Sequence, residues 1–178
     1  MRRLFLALVI ILLFTYSSTL TQAGTVATLC QRDEQVFFHC SVQGGRKMVS
    51  LCGSPQLTAT DGYLQYRFGS VRKVELEFPR QRAESQKQFQ YAHYLRYQVD
   101  RTEVSFTRDG YTYTLFDAYE GETKKPQRFR GVQVDAPNAR KNSVTLSCHG
   151  PAISKVQTLE TIVPCDKENP LNMGNCHR

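Results

Sequence analysis

The amino-acid sequence predicts an all-β fold, either an antiparallel sandwich or a small barrel of about eight strands. Three observations support this prediction: short runs of alternating apolar and polar residues, glycine-containing turns between them, and six cysteines after residue 23 that suit disulfide bonds. One stretch near the C-terminus has helical spacing instead. The pattern leaves sandwich and barrel open, because closure depends on pairing between the first and last strands.

The N-terminal residues have the pattern of a signal peptide. Two arginines precede an apolar run (residues 4–16), and Ala23 ends a stretch of small and polar residues suited to cleavage. The run is shorter than the roughly 20 residues that a membrane-spanning helix needs. We expect a cleaved signal peptide (1–23) and a single secreted β domain (24–178), delivered to a periplasm or to the extracellular space, with no transmembrane segment after cleavage.

Length and charge limit the partners that can be expected. The full chain carries a net charge of +7, and loss of two arginines with the signal peptide would lower it to +5 over 155 residues. That length suits one domain able to bury about 70% of its unfolded surface. A modest positive charge is common on soluble surfaces and does not define a ligand. We predict no nucleic-acid partner, since exported proteins rarely meet one, and the oligomeric state stays open.

The first hairpin is predicted at Gly44-Gly45, because both central positions of a two-residue turn favour positive φ. This turn pairs Cys40 with Val49 and places Cys52 on the opposite face. Cysteines on opposite faces of a strand pair cannot meet disulfide geometry, which disfavours a Cys40–Cys52 bond. The face that carries Cys40 also carries Phe38, Val42, Val49 and Leu51.

Six cysteines in an exported chain predict three disulfides, and sequence alone allows 15 pairings. Alternation in "SVTLSC" points Cys148 inward like Cys40, so these two are natural partners. Cys165 and Cys176 bracket a turn-rich tail that a short bridge would order. Cys30 and Cys52 remain as the third pair.

The cysteines do not follow the spacing of a metal site. The sequence has no C-x-x-C, and although His39 and His149 each adjoin a cysteine, neighbouring strand residues point to opposite faces. "DKENPLN" lacks the residue order of a calcium loop. We therefore predict no metal and no other cofactor, and no reactive thiol, since a catalytic cysteine must be unpaired.

The remaining elements follow from the same alternation. A connection at residues 69–73 would oppose Phe68 with Val74, and Asp109-Gly110 would pair Phe106 with Tyr113. The polar stretch 79–88 predicts a loop or a short solvated helix.

Further along, Tyr91, His93, Leu95, Tyr97 and Val99 share one side of a strand that ends in a turn near Asp100-Arg101. Val132 and Val134 point inward from a later strand. The spacing of Ile153, Val156 and Leu159 predicts one short amphipathic helix, although this segment could also finish as a strand.

Catalytic signals are weak. Lipase, metalloprotease and phosphate-loop motifs are absent from the sequence. Asp117, Glu120 and Glu122 form a cluster, and paired carboxylates can hydrolyse glycosides, but such a group at a strand end is usually a solvated turn. His93 could act as a general base, and a histidine packed on a sheet surface is the commoner case.

A mixture of arginine and tyrosine is the more informative feature, because these residue types are enriched in binding patches. Tyr94 and Arg96 share a strand face opposite the expected core and are our candidate binding residues. The alternative is that tyrosines fill the core and arginines keep the surface solvated. The set comprises Arg67, Arg72, Arg80, Arg82, Arg96, Arg101, Arg108, Arg128 and Arg130 with Tyr63, Tyr91, Tyr94, Tyr97 and Tyr119.

These observations support three hypotheses. The first is an exported, non-catalytic binding or inhibitory domain that recognises a protein or an envelope polymer through an Arg/Tyr face. The second is a small secreted hydrolase that uses dispersed carboxylates or His93. The third is a structural component of the cell envelope. The size and export of the chain are similar to those of small periplasmic β-domain inhibitors of lysozyme, a fold-level analogy that says little about function.

Overall fold

The computed structural model, which describes residues 26–137, 143–174 and 176, is an all-β sandwich of two antiparallel five-stranded sheets. The predicted signal peptide lies outside the described residues. Ten strands are described where about eight were predicted. Their bounds are β1 Gln35–Val42, β2 Lys47–Gly53, β3 Leu64–Ser70, β4 Lys73–Phe78, β5 Gln90–Arg96, β6 Val99–Arg108, β7 Tyr111–Glu120, β8 Gln127–Asp135, β9 Ser143–Ser147 and β10 His149–Ser154.

The strands follow one another as two meanders. The first sheet has the order β10-β1-β2-β3-β4 and the second the order β5-β6-β7-β8-β9. The chain therefore builds four strands of one sheet, crosses to build the whole second sheet, and returns so that β10 pairs with β1. Because no ladder joins the two sheets in the part of the chain that the structure describes, the fold is a sandwich and not a barrel.

The core lies between the inner faces of the two sheets, as the alternating pattern requires. The Phe106 ring of the second sheet stacks on Phe78 of the first sheet at 4.3 Å between ring centroids and lies 5.0 Å from the Tyr66 ring. Such aromatic pairs contribute about 0.5–1.5 kcal/mol each beyond their area burial. Fully buried side chains from both sheets surround them: Phe38, Val49, Leu51, Leu64, Val104 and Val132.

Two predicted hairpin registers are confirmed. Cys40 pairs with Val49 across the Gly44-Gly45 turn, and Phe106 pairs with Tyr113 across Asp109-Gly110. The register of the β3–β4 hairpin was wrong by two residues, because Phe68 opposes Leu76 instead of Val74. One residue of the shift comes from the turn, which narrows to residues 71–72, and the other from a bulge in which β4 has an extra residue opposite Gly69. Gly69 adopts a φ of +152°, which favours glycine.

Three other local predictions need correction. The turn after β5 lies at residues 97–98 rather than at Asp100-Arg101, with Gln98 at a φ of +58°. Val144, expected to point into the core, is 57% exposed because β9 is an edge strand of the second sheet. The stretch 79–88 contains a 3-10 helix, Ser85–Gln88, whose first two residues are buried rather than solvated.

The predicted C-terminal helix is reduced to a single 3-10 turn. Ile153 lies in β10, and only Val156–Leu159 is helical, with Val156 and Leu159 buried against the core. A second 3-10 turn, Pro170–Asn172, follows near the end of the chain. Among the described helices, none is long and apolar enough to cross a membrane.

Three disulfides join the predicted pairs, Cys30–Cys52, Cys40–Cys148 and Cys165–Cys176, with Cα–Cα distances of 5.4, 5.5 and 6.0 Å. Cys148 lies between β9 of the second sheet and β10 of the first. The Cys40–Cys148 bond therefore ties β1 to the segment where the chain returns between sheets. Three disulfides are typical of a protein from an oxidising compartment.

Candidate functional site

The outer face of the first sheet is closed by the N-terminal segment that precedes β1. Arg67, on the outer face of β3, donates to both carboxylate oxygens of Glu34 and to the Leu29 carbonyl. The Cys30–Cys52 disulfide attaches the same segment to β2. As a result, His39, Ser50, Cys52, Gln65 and Arg67 on this face are all buried, and the first sheet offers little free outer surface.

Among the described residues, the segment that covers the outer face of the second sheet lies along one edge, beside β5. The Asn172 side chain accepts a hydrogen bond from the His93 backbone N–H at 3.0 Å and donates to the Tyr91 carbonyl at 3.3 Å. Tyr91 also forms a bridge with Cys165. These contacts cap the edge of β5 and hold the C-terminal loop beside the sheet. No other segment within residues 26–137 and 143–174 packs over the outer faces of β7 and β8.

A cleft of about 350 Å³ forms where the C-terminal loop meets this face. Tyr94 and Arg96, the residues proposed from the sequence, both project from the outer face of β5 into it. Arg101 joins them from β6, directly opposite Tyr94 in the ladder. The C-terminal loop supplies the other side of the cleft with Pro170, Leu171 and Met173.

Two ion pairs set the charge of the cleft. Arg96 forms a bidentate ion pair with Glu122, in which Nη2 of Arg96 lies 2.6 Å from Oε2 of Glu122. Arg101 Nε lies 2.5 Å from Glu120 Oε1. Hydrogen bonds from these arginines lower the pKa of Glu122 and of Glu120 respectively. The pairs are half exposed, so they contribute little to stability, but they hold the guanidinium groups in place.

A larger groove of about 520 Å³ continues from the cleft across the outer face of the sheet. Arg101, Pro170 and Leu171 line both spaces, so the two are contiguous. The floor of the groove contains Phe116 and Ala118. Its remaining lining includes Glu103, Thr114, Gln133, Asp135, Thr145 and Asn169.

Most of the arginines and tyrosines singled out by the sequence do not reach this site. Arg67 is buried in the first sheet, and Arg82 stacks on the Tyr63 ring at 4.3 Å. Arg128 and Arg130 bind Asp117 on the inner face of the second sheet. Sequence reasoning missed Leu171, Met173 and Phe116, since no local pattern shows that a loop at residues 170–173 packs beside β5.

The carboxylate cluster suggested by the sequence is separated in the structure. Asp117 points inward and is 1% exposed, with Arg128 Nε at 2.8 Å and Arg130 Nε at 3.0 Å from its oxygens. Glu120 and Glu122 lie on the outer side and pair with the cleft arginines. Every member of the cluster contacts an arginine. Hydrogen bonds from Arg101 and Arg96 lower the pKa of Glu120 and of Glu122, which is the opposite of what a general acid needs.

His93 lies beside a different cavity, at the edge of the sandwich. Its Nε2 is 2.9 Å from Asp100 Oδ1, and it lines a space of about 300 Å³ together with Tyr91, Glu160 and the Cys165–Cys176 disulfide. A histidine oriented by an aspartate is one part of a hydrolytic site. Within the described residues, no hydroxyl or thiol is hydrogen bonded to the His93 ring.

One group of potential metal ligands comes together, and its chemistry does not suit a metal. Cys30, Glu34 and Cys52 have ligand atoms within 4.8 Å of one another. The two cysteines form a disulfide and so offer no thiolate, and Glu34 is bound by Arg67.

No protein-family model matches the chain, and neither a curated protein nor a solved structure matches it. The fold and the site define a disulfide-bonded β-sandwich with one closed and one open outer face. The open face is therefore the part of the molecule from which a function can be inferred.

Proposed function

We propose that the protein is an exported, non-catalytic binding or inhibitory domain that recognises its target through the outer face of the second sheet. The observation that carries the proposal is the cleft in which Tyr94, Arg96 and Arg101 meet Leu171 and Met173. Tyrosine and arginine next to exposed apolar side chains are the composition of interface hot spots. Met173 is 73% exposed, which leaves an apolar surface available to a partner.

The rigidity of the face supports the same proposal. The Cys165–Cys176 disulfide and the Asn172 hydrogen bonds hold the C-terminal loop beside β5. A preformed surface loses less conformational entropy on binding than a mobile one, which favours affinity.

A pull-down from an envelope extract with matched variants tests the proposal. We expect Tyr94→Ala combined with Arg96→Ala to lose a species that the parent protein retains. The control combines Tyr111→Ala with Arg72→Ala, which removes the same residue types from exposed positions away from the cleft. Equal retention by the parent and the cleft variant would exclude the cleft as the binding site.

The hydrolase hypothesis has one supporting observation, the contact of His93 with Asp100 beside the 300 Å³ cavity. We infer that any hydrolytic activity would arise there and not at Asp117, whose carboxylate is bound by two arginines. The test is a panel of glycans and esters with the parent protein and His93→Ala. Activity lost in His93→Ala and kept in His149→Ala would favour an enzyme, and no turnover of any substrate would count against it.

The third hypothesis, a structural envelope component, gains no specific support from the described geometry. Stable co-purification with a large assembly would distinguish it from a soluble binding domain.

A further inference from the structure

We propose that the partner bound by this face is a polypeptide that presents a lysine or arginine next to an apolar side chain. The inference rests on the proposed binding function and specifies the chemistry of the target. It follows from the charges of the groove, from the composition of its floor, and from the contrast between the groove and the rest of the protein.

Two carboxylates line the groove without a cationic partner among the described residues. Glu103 accepts a hydrogen bond from the Asn169 amide at 2.8 Å, and Asp135 accepts two from Gln133 Nε2 at 3.1 Å. Their neutral amide partners leave both negative charges in place. The Arg101 charge does not offset them, because its Nε is paired with Glu120.

The described lining of the groove is thus negative, on a protein whose overall net charge is +7. A local charge opposite to that of the whole molecule favours a cationic ligand at that place and disfavours an anionic polymer. Both carboxylates are partly buried, and partial burial reduces screening by salt.

The apolar part of the site lies next to these charges. Leu171 and Pro170 line both the cleft and the groove, and Phe116 forms part of the groove floor. A space of about 350 Å³ accommodates a leucine or phenylalanine side chain, while the contiguous groove brings a neighbouring cation towards Glu103. An apolar side chain beside a charged group is the usual content of a protein hot spot, which favours a polypeptide over a glycan.

Amide chemical-shift titrations of the isotope-labelled protein test the inference with defined probes. The probes are the capped peptides Lys-Leu-Lys, Gln-Leu-Gln and Glu-Leu-Glu, and chitotetraose as a neutral glycan. We expect Lys-Leu-Lys to shift the amides of Phe116, Ala118 and Leu171. We expect Glu103→Gln combined with Asp135→Asn to weaken that binding at least about tenfold, because two charge-assisted contacts are lost.

The double variant keeps the side-chain shapes and leaves one acceptor oxygen each for Asn169 and Gln133, so the fold should be retained. The control is Asp61→Asn combined with Glu75→Gln, which removes two carboxylates away from the groove and should leave the affinity unchanged. Unchanged affinity in the groove variant would overturn the inference.

The other outcomes separate the inference from the function on which it rests. Suppose that Glu-Leu-Glu or chitotetraose shifts the same amides and Lys-Leu-Lys does not. That result would overturn the inference of a cationic partner, but it would still support this face as a binding site. Absence of shifts with all four probes would also overturn it, and the Tyr94 and Arg96 pull-down would then decide separately whether the face binds at all.

Discussion

Arg67 and Glu34 form a bidentate ion pair, with Nη1–Oε2 at 2.5 Å and Nη2–Oε1 at 2.9 Å. Both side chains are almost fully buried. The remaining guanidinium donors reach Glu77, Gln65 and the Leu29 carbonyl, so all five N–H groups are used. This pair closes the outer face of the first sheet. In the part of the chain that the structure describes, the outer face of the second sheet has no equivalent ion pair, which explains why that face carries the candidate site.

Glu34→Gln should destabilise the fold by about 3 kcal/mol, because it leaves the Arg67 charge buried with only Glu77 as a partner. The measurement is the free energy of unfolding in urea. The control is Glu75→Gln, which breaks the exposed Lys47–Glu75 pair and should cost less than about 1 kcal/mol. Equal losses in the two variants would show that burial gives the Glu34 pair no special role.

His39 should make the protein less stable as the pH falls from about 8 to 5. Burial lowers the pKa of His39 below 6.5, and a backbone hydrogen bond with Val49 only partly offsets this effect. The unfolded chain therefore binds a proton that the folded chain does not, so stability falls below the unfolded pKa. Ser50 Oγ accepts from the Leu29 N–H and can donate its own proton to His39 Nδ1, which suits the neutral ring.

The measurement is the urea midpoint between pH 8 and 5. A steep decrease is expected for the parent protein and a flatter one for His39→Gln, while the exposed His149→Gln should behave like the parent. Glu34 titrates outside this pH range. Burial raises its pKa, but the hydrogen bonds from Arg67, the Gln31 backbone and Tyr63, together with the charge of Arg67, outweigh burial and hold the pKa below 4.5. Its stabilisation is thus lost only as the pH falls further. If the urea midpoint of His39→Gln falls with pH as steeply as that of the parent protein, groups other than His39 cause the loss of stability.

The Cys40–Cys148 disulfide should contribute more stability than Cys165–Cys176. In the chain-entropy model, bridges that close 108 and 11 residues stabilise by about 5 and about 3 kcal/mol respectively. The measurement compares unfolding of the two double Cys→Ala variants. Alkylation before reduction should label no cysteine of the parent protein. If loss of Cys165–Cys176 lowers the free energy of unfolding more than loss of Cys40–Cys148, the short bridge must stabilise more of the fold than the C-terminal loop.

Gly131→Ala should destabilise the protein by about 1–3 kcal/mol and displace the Phe116 ring from the groove floor. An added Cβ would lie 2.4 Å from the Leu146 carbonyl oxygen and 2.8 Å from Phe116 Cζ. Thermal unfolding and the aromatic chemical shifts of Phe116 measure the two effects. An unchanged melting temperature and unchanged Phe116 shifts would mean that the sheet accommodates the added methyl group without loss of stability.

The local features that the sequence predicted correctly share a physical basis. Side chains alternate along a strand, so a turn such as Gly44-Gly45 determines which residues face each other. The same parity placed Cys40 and Cys148 on the inner side and Tyr94 and Arg96 on the outer side. Where a bulge interrupts the count, as at Gly69, the predicted register was wrong because one extra residue is invisible in the alternation.

Local spacing was enough to predict an all-β fold, the inward side of Cys40 and the outward direction of Tyr94 and Arg96, because each depends on alternation within a strand. The Cys165–Cys176 pair followed from a turn-rich tail, and Cys30–Cys52 was the pair that remained. The burial of Arg67, the place of Arg101 in a cleft and the position of Leu171 beside β5 became known from the folded chain alone. Those outcomes depend on contacts between segments far apart in the chain, and local periodicity carries no information about such contacts.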